Sequence, residues 1–191
     1  MSSRTELLDA RRFAITALLE PCWERIRDEM VVLSPEDFVP WPNDGAYSGH
    51  WLAFPLCLKG YADDMPVDLE RNWRRCPFTA SLLDRFGRHG TYGFSRMLPQ
   101  THIYPHCDGQ QRDVLRAHLG LDVPAGALFR IGTERVSWQD GKVLVFDGLI
   151  EHETANIGAL PRTILLVDFS LTPDEMDYLE AVRGRAAAAA G

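Results

Sequence analysis

The chain has 191 residues, a net charge of −7 and a pI near 5.3, and this length suits one domain with a well-filled core. The acidic balance argues against nucleic acid or an anionic membrane as the main partner, because phosphate contacts need a basic face. No run reaches the roughly 18 apolar residues that span a bilayer and the four scattered cysteines form no CxxC pair, so we expect a cytoplasmic protein without disulfides.

The first 50 residues are predicted to be mainly helical. Apolar residues recur at helical spacing from Phe13 to Leu19 and again from Trp23 to Val31. A stretch rich in Pro, Asn, Asp and Gly, from Pro35 to Gly49, predicts a loop.

The following segment combines a short strand with a short helix. The apolar run Trp51 to Leu58 predicts a strand, and residues 60–75 are charged and predicted to be irregular. The sequence TASLLDRF predicts a helix capped by Thr79.

From Tyr92 onward the sequence is typical of a β-rich domain. Short runs rich in β-forming residues alternate with Gly, Pro and Asp, which predicts an antiparallel sandwich or barrel. We therefore expect a single domain of residues 1–191, with a β-rich catalytic core at 51–171 and a C-terminal helix and alanine tail at 172–191. The runs are YGFSRML, THIYPH, VLRAHLGLDV, LFRIG, ERVSW, KVLVFDG and RTILLVDFSL.

Two histidines and a carboxylate form a candidate metal site. Read as a strand, THIYPHCD places His102, Tyr104, His106 and Asp108 on one face, because side chains alternate along a strand. His152 follows a later β-run and would meet them across a barrel. Two imidazoles and one carboxylate are the ligand set of non-heme Fe(II) oxygenases. A structural role for each histidine alone remains the alternative.

Three basic residues suggest an anionic co-substrate beside the metal. In a strand, Arg116 and His118 share one face and Leu115 the other. A buried arginine is costly without an anionic partner, which a bound carboxylate would supply. Arg162, ten residues beyond His152, is predicted to anchor a dicarboxylate such as 2-oxoglutarate. A solvent-facing polar edge is the alternative for these arginines.

Seven stretches, in order from about Trp23 to Asp168, resemble the aspartyl/asparaginyl β-hydroxylases, a branch of the 2-oxoglutarate oxygenases. The resemblance implies a mostly β fold with flanking helices, built on a double-stranded β-helix (jelly-roll, cupin-like) core. The stretches are WERIRDEM, SGHW, CPFTASLLDRF, FSRMLPQTHIYPH, LRAHLGLDVP, WQDGKVLVFDGLIEHE and RTILLVDF.

The resemblance also implies Fe(II), O2 and the co-substrate 2-oxoglutarate, with metal ligands at His106 and His152. Animal members have glycine at the position of Asp108, and we predict that this aspartate completes the triad. Ser95 and Arg162 would hold the distal carboxylate, with Arg116 and His118 near the metal-chelating end. The implied co-substrate contacts are Trp51, Ser95, Arg116, His118 and Arg162.

The leading functional hypothesis is a dioxygenase that hydroxylates an amino-acid residue, at the β-carbon of Asp or Asn in a peptide or small-molecule substrate. Arg112 is a candidate substrate contact. The alternatives are a hydroxylase of a free amino acid such as proline, a cupin-like metal enzyme that does not use 2-oxoglutarate, and a non-catalytic ligand-binding β-barrel. The sequence does not indicate an oligomeric state.

Overall fold

Two antiparallel sheets form the body of the protein in residues 7–58, 65–87, 90–109 and 111–188, which a computed structural model describes. The larger sheet has the strand order β1-β3-β4-β11-β6-β9 and the smaller has the order β2-β5-β10-β7-β8. The strands are β1 (Val39–Pro40), β2 (Tyr47–Ser48), β3 (Trp51–Cys57), β4 (Tyr92–Met97), β5 (Thr101–His106), β6 (Val114–Asp122), β7 (Ala127–Ile131), β8 (Glu134–Val136), β9 (Val143–Phe146), β10 (His152–Asn156) and β11 (Arg162–Ser170).

The described helices are short, except for the last. They are α1 (Ala14–Leu19), α2 (Trp23–Val31), α3 (Leu69–Arg75), α4 (Pro77–Leu83) and α5 (Pro173–Ala188). The predicted helices α1, α2 and α5 are confirmed, while residues 189–191 of the predicted tail lie outside the described residues. None of the helices within the described ranges is long and apolar enough to cross a membrane.

The larger sheet separates the main core from the interior between the sheets. On β6, Leu115, Ala117 and Leu119 join a large cluster that also contains side chains of α1 and α2. Arg116 and His118 have the opposite parity and face the smaller sheet, so the predicted strand and its division into two faces are confirmed. The side chains between the sheets determine the chemistry of the interior.

Two predictions about α3 and α4 were wrong. Residues 69–75 form a helix rather than irregular chain, and the Asp68 side chain accepts the Arg71 N–H at its start. Helix α4 begins at Pro77, which places Thr79 inside its first turn. The Glu29 carboxylate of α2 accepts the backbone N–H groups of Phe78 and Thr79 at 2.7 and 2.8 Å. A distant acid thus performs the capping expected of Thr79.

Candidate metal and co-substrate site

A bulge in β5 determines which of its side chains face the interior. Thr154 of β10 pairs with Ile103, whereas His152 pairs with His106, so β5 contains one extra residue between the two pairs. The extra residue shifts the alternation by one position. Ile103 and His106 therefore face inward, while His102 lies on the outer face and contacts Glu153 at 2.8 Å. The predicted common face of His102, Tyr104, His106 and Asp108 was wrong.

The structure nevertheless brings His106, Asp108 and His152 together. The two imidazole rings lie 4.3 Å apart between centroids. The Nε2 atoms of His106 and His152 lie 3.8 and 3.6 Å from Asp108 carboxylate oxygens, and the candidate ligand atoms all fall within 4.8 Å of one another. Asp108 lies beyond the end of β5, where its backbone N–H donates to the Gly148 carbonyl at 2.7 Å.

The second ring nitrogen of each histidine is held by a backbone carbonyl. His106 Nδ1 lies 2.7 Å from the Tyr104 carbonyl, and His152 Nδ1 lies 2.9 Å from the Ile150 carbonyl. Because a carbonyl only accepts, each Nδ1 carries the hydrogen, and in the neutral ring Nε2 keeps its lone pair. Burial lowers the pKa of His152, although the nearby Asp108 opposes this shift. The three side chains therefore offer the donor set of a divalent metal with open positions.

Arg116 has protein carboxylates as partners. Its Nε and Nη2 donate to Asp168 at 2.7 and 3.1 Å. Its Nη1 lies 2.8 Å from Asp108 Oδ2, but the contact lacks hydrogen-bond alignment, since this oxygen has no hydrogen-bond partner. Asp168 thus supplies an anionic partner for the buried Arg116 within the protein itself, and the co-substrate contact of Arg116 stays a prediction. Asp168 was missed, although it faces Arg116 across the β6–β11 ladder.

His118 carries its hydrogen on the other ring nitrogen. The Trp138 indole N–H donates to His118 Nδ1 at 3.2 Å. Nδ1 is therefore an acceptor, and Nε2 of the neutral ring bears the hydrogen. Burial lowers the pKa of His118 well below its ordinary value, which favours the neutral ring. Its Nε2 is buried and has no hydrogen-bond partner, so it is available to an acceptor bound in the interior.

Arg162 is a buried cation without a carboxylate partner in the described part of the chain. The residue is only 2% exposed. Its Nη1 donates to the Ser95 carbonyl at 3.2 Å and its Nη2 lies 2.6 Å from Met97 Sδ, while Nε has no partner. Burial lowers the pKa of Arg162 to about 9. A buried guanidinium with an unused donor fits a bound carboxylate.

Ser95 and Trp51 lie beside Arg162. The Trp51 indole N–H donates to Ser95 Oγ at 3.0 Å. The serine hydroxyl is thus an acceptor for Trp51, and its own hydrogen remains free to donate. Trp41 stacks on Trp51 with 4.5 Å between ring centroids. Trp51, Ser95 and Arg162 therefore form one cluster.

Aromatic rings connect the candidate metal cluster to the cluster around Arg162. The Phe146 ring lies 5.0 Å from that of His152 and 4.9 Å from that of His118. Trp138 then bridges His118 and Arg162, whose guanidinium carbon lies 4.6 Å from the indole centroid. Trp138 was missed in the sequence, although it opens the stretch WQDGKVLVFDGLIEHE.

Helix α5 fixes the turn that precedes His152. Arg183 donates to Asp147 Oδ2 through Nε at 3.1 Å and Nη2 at 2.9 Å. The other Asp147 oxygen accepts the Leu149 N–H at 3.1 Å. This turn also contains Gly148, whose carbonyl holds Asp108. The Arg183–Asp147 pair thus connects α5 to two members of the candidate metal cluster, Asp108 and His152.

Arg112 lies apart from these side chains. Its side chain is 75% exposed, and its Nη2 lies 3.7 Å from Glu180 of α5. No other candidate site residue contacts it among the described residues.

The sequence profile of the aspartyl/asparaginyl β-hydroxylases matches residues 20–171 of this chain. The chain belongs to the aspartyl/asparaginyl β-hydroxylase family. It is 34% identical over 176 residues to the mouse aspartyl/asparaginyl β-hydroxylase, a match that covers 86% of this chain and 23% of the mouse protein. It is 37% identical over 106 residues to the ornithine lipid ester-linked acyl 2-hydroxylase of Rhizobium tropici, covering 54% of this chain and 37% of that protein. The chain thus spans well under half the length of either relative.

The fold is shared with a solved oxygenase. An oxidoreductase of the 2OG-Fe(II) oxygenase family from Burkholderia pseudomallei aligns with a TM-score of 0.50 and 18% identity, covering 77% of each chain. The likeness confirms the predicted double-stranded β-helix of this β-hydroxylase family member. It carries no information on the substrate.

Proposed function

We propose that this β-hydroxylase family member is an Fe(II)- and 2-oxoglutarate-dependent dioxygenase. One observation supports the proposal above all others: the interior that holds an open cluster of two imidazoles and a carboxylate also holds buried, unpaired donors on His118 and Arg162. Buried donors normally have partners. Two such donors beside a candidate metal cluster favour an anionic ligand that the metal also binds.

Each site residue then has a defined role. His106, Asp108 and His152 hold Fe(II) and leave three coordination positions open. Arg162 and the free hydroxyl hydrogen of Ser95 bind the distal carboxylate of 2-oxoglutarate, and Trp51 orients that serine.

The metal-chelating end of 2-oxoglutarate has two further proposed contacts. His118 donates from Nε2 to the carboxylate at this end. Arg116 is the second proposed contact of this carboxylate, and Asp168 fixes the position of its guanidinium. The double hydrogen bond to Asp168 makes Arg116 a rigid donor.

Fe(II), 2-oxoglutarate and O2, when bound, supply the hydroxylation of an unactivated C–H bond with release of succinate and CO2. The protein positions the reactants and excludes water. Phe129, Phe146 and Trp138 surround His118 with apolar surface. A low local dielectric strengthens each charge-assisted contact to the carboxylates.

The proposed substrate is an amino-acid residue, hydroxylated at the β-carbon of Asp or Asn in a peptide or small molecule. The name of the mouse relative supports this substrate class. Arg112 is the proposed substrate contact because its side chain is 75% exposed at the surface, where its Nη2 lies 3.7 Å from Glu180. The Rhizobium tropici relative is named for an acyl chain. The substrate screen therefore includes acyl chains as well. It also includes free amino acids such as proline, the alternative substrate class.

The proposal is tested by measuring succinate release and the gain of one oxygen in substrate mass with Fe(II) and 2-oxoglutarate. We expect both signals with at least one member of the panel, and expect His106→Ala and His152→Ala to abolish both. His102→Ala is the matched control, because His102 lies on the outer face of the same strand. It should retain the activity.

Two results would contradict the proposal in different ways. Metal binding without 2-oxoglutarate turnover on any substrate would favour a cupin-like metal enzyme of another kind. The absence of any metal-dependent thermal shift would favour a non-catalytic ligand-binding barrel.

A further inference from the structure

We propose that Trp138 is a positioning residue of the co-substrate pocket, which fixes His118 as a hydrogen-bond donor and supports Arg162 with its ring face. This inference rests on the proposed function, because the proposed acceptor for both His118 and Arg162 is 2-oxoglutarate. Trp138 itself does not touch the reacting atoms in this scheme.

The tautomer of His118 follows from hydrogen-bond chemistry. An indole N–H only donates, and Trp138 Nε1 lies 3.2 Å from His118 Nδ1. In the opposite tautomer, two N–H groups would point at each other and a lone pair would point into the pocket. The observed contact therefore places the hydrogen on Nε2, which is buried and has no partner.

This tautomer distinguishes His118 from the two candidate metal ligands. Backbone carbonyls place the hydrogen of His106 and His152 on Nδ1, so that Nε2 of each can bind a cation. Trp138 places the hydrogen of His118 on Nε2, which prevents this atom from acting as a metal ligand. Two histidines, His106 and His152, are thus suited to bind a metal, whereas His118 is suited to donate to an anion and does not occupy a further coordination position.

The ring face of Trp138 supports Arg162. The guanidinium carbon lies 4.6 Å from the indole centroid, and no carboxylate among the described residues pairs with this cation. Cation–π attraction is strongest for indole and for desolvated cations. Trp138 is itself fixed by packing on Phe129, with 5.5 Å between ring centroids. The neighbouring Ser137 hydroxyl donates to the Ala127 carbonyl at 2.8 Å and anchors the segment.

The first test is a measurement of the His118 tautomer by NMR in metal-free protein labelled with 15N-histidine. The chain contains six histidines, and the His118 signals are assigned by their loss in His118→Gln. We expect a neutral ring with an unprotonated Nδ1 at pH 7. Trp138→Phe should convert it to a mixture of tautomers. Trp73→Phe is the matched control and should leave it unchanged, because Trp73 lies on α3 and packs against the main core. An imidazolium or an Nδ1–H tautomer in the wild type would overturn the inference.

The second test is calorimetric binding of 2-oxoglutarate to protein loaded with Mn(II), which requires no turnover. Loss of one oriented donor predicts about tenfold weaker binding in Trp138→Phe. Trp138→Leu also removes the aromatic face and should bind more weakly still. Trp73→Phe should stay within about twofold of the wild type. An unchanged affinity in a folded Trp138→Phe protein would contradict the positioning role.

The two tests separate this inference from the proposed function. If the wild type does not bind 2-oxoglutarate, the proposed co-substrate is wrong, while the NMR result still decides the tautomer. If Trp138→Phe fails to fold by circular dichroism, the wild-type spectrum alone decides, because an Nδ1–H ring would refute the assignment without any variant.

Discussion

Replacing Arg162 with methionine should stabilise the free protein while it abolishes 2-oxoglutarate binding. Arg162 is fully enclosed, and burial lowers its pKa from 12.5 to about 9. Because pH 7 lies below both values, the guanidinium is charged in the folded and the unfolded chain. The whole penalty for burying the charge is therefore present at neutral pH.

The size of the penalty follows from the pKa. A reduction from 12.5 to about 9 corresponds to about 5 kcal/mol against the charged folded form. The cation–π contact with the indole face of Trp138 offsets up to about 2 kcal/mol of this burial penalty. Methionine fills a similar volume without a charge, and exchanges of buried ionic groups for apolar ones can stabilise a protein. We expect Arg162→Met to raise the free energy of unfolding by about 1–3 kcal/mol.

The assay is thermal and urea unfolding with matched metal loading, with and without 2-oxoglutarate. The wild type should gain stability with ligand concentration by mass action, and Arg162→Met should not. Arg96→Met is the control, because Arg96 is a partly buried arginine that lies over the ring of Phe38, outside the site. It should keep the ligand-dependent shift. A destabilised Arg162→Met protein, or one that still responds to 2-oxoglutarate, would refute the reasoning.

Two further predictions concern residues outside both the candidate metal cluster and the cluster around Arg162. Arg183→Ala should weaken Mn(II) binding about tenfold, because it frees the turn before His152. Lys142→Ala, which removes an exposed ion pair, is the control and should bind Mn(II) as the wild type does. Equal affinities of the two variants in a metal titration would contradict the role of α5. Hydrogen bonds from Arg75 hold the pKa of Asp37 below its ordinary value. The pair therefore stabilises the folded protein at pH 7, and this contribution is lost as the pH falls below the ordinary carboxyl range towards the pKa of Asp37 in the folded state. Asp37→Asn should therefore be less stable than the wild type in urea at pH 7 and approach it in acid, and a pH-independent difference would argue against this pair.

The β-rich core was predictable because its signals are local. The run VLRAHLGLDV alternates between Leu115, Ala117 and Leu119 on one side and Arg116 and His118 on the other, and the structure follows this alternation along β6. Period-two patterning needs no knowledge of partners. The helix at 69–75 was missed because its charged, apolar-poor sequence carries little periodic signal.

The details of the site depend on long-range geometry that alternation does not contain. Strict alternation along THIYPHCD assigned His102 to the interior, but the bulge before His106 reverses the faces. A bulge is defined by pairing with a partner strand, so one strand's sequence cannot locate it. Trp138 and Asp168 were missed for a related reason, since each acquires its role only through a partner side chain on β6.

Because Arg116 pairs with Asp168, we expect Asp108, the carboxylate of the candidate metal cluster, to be dispensable for folding. Asp168 holds Arg116 through two hydrogen bonds that do not involve Asp108, so Asp108→Gly leaves no unpaired buried cation. We therefore expect this variant to lose less than about 1 kcal/mol of stability and to bind Mn(II) at least about tenfold more weakly, because one ligand is removed. Unfolding and metal titration on the same preparation measure the two effects. A variant that unfolds readily would show that Asp108 is structural, and one with unchanged Mn(II) affinity would remove it from the proposed ligand set.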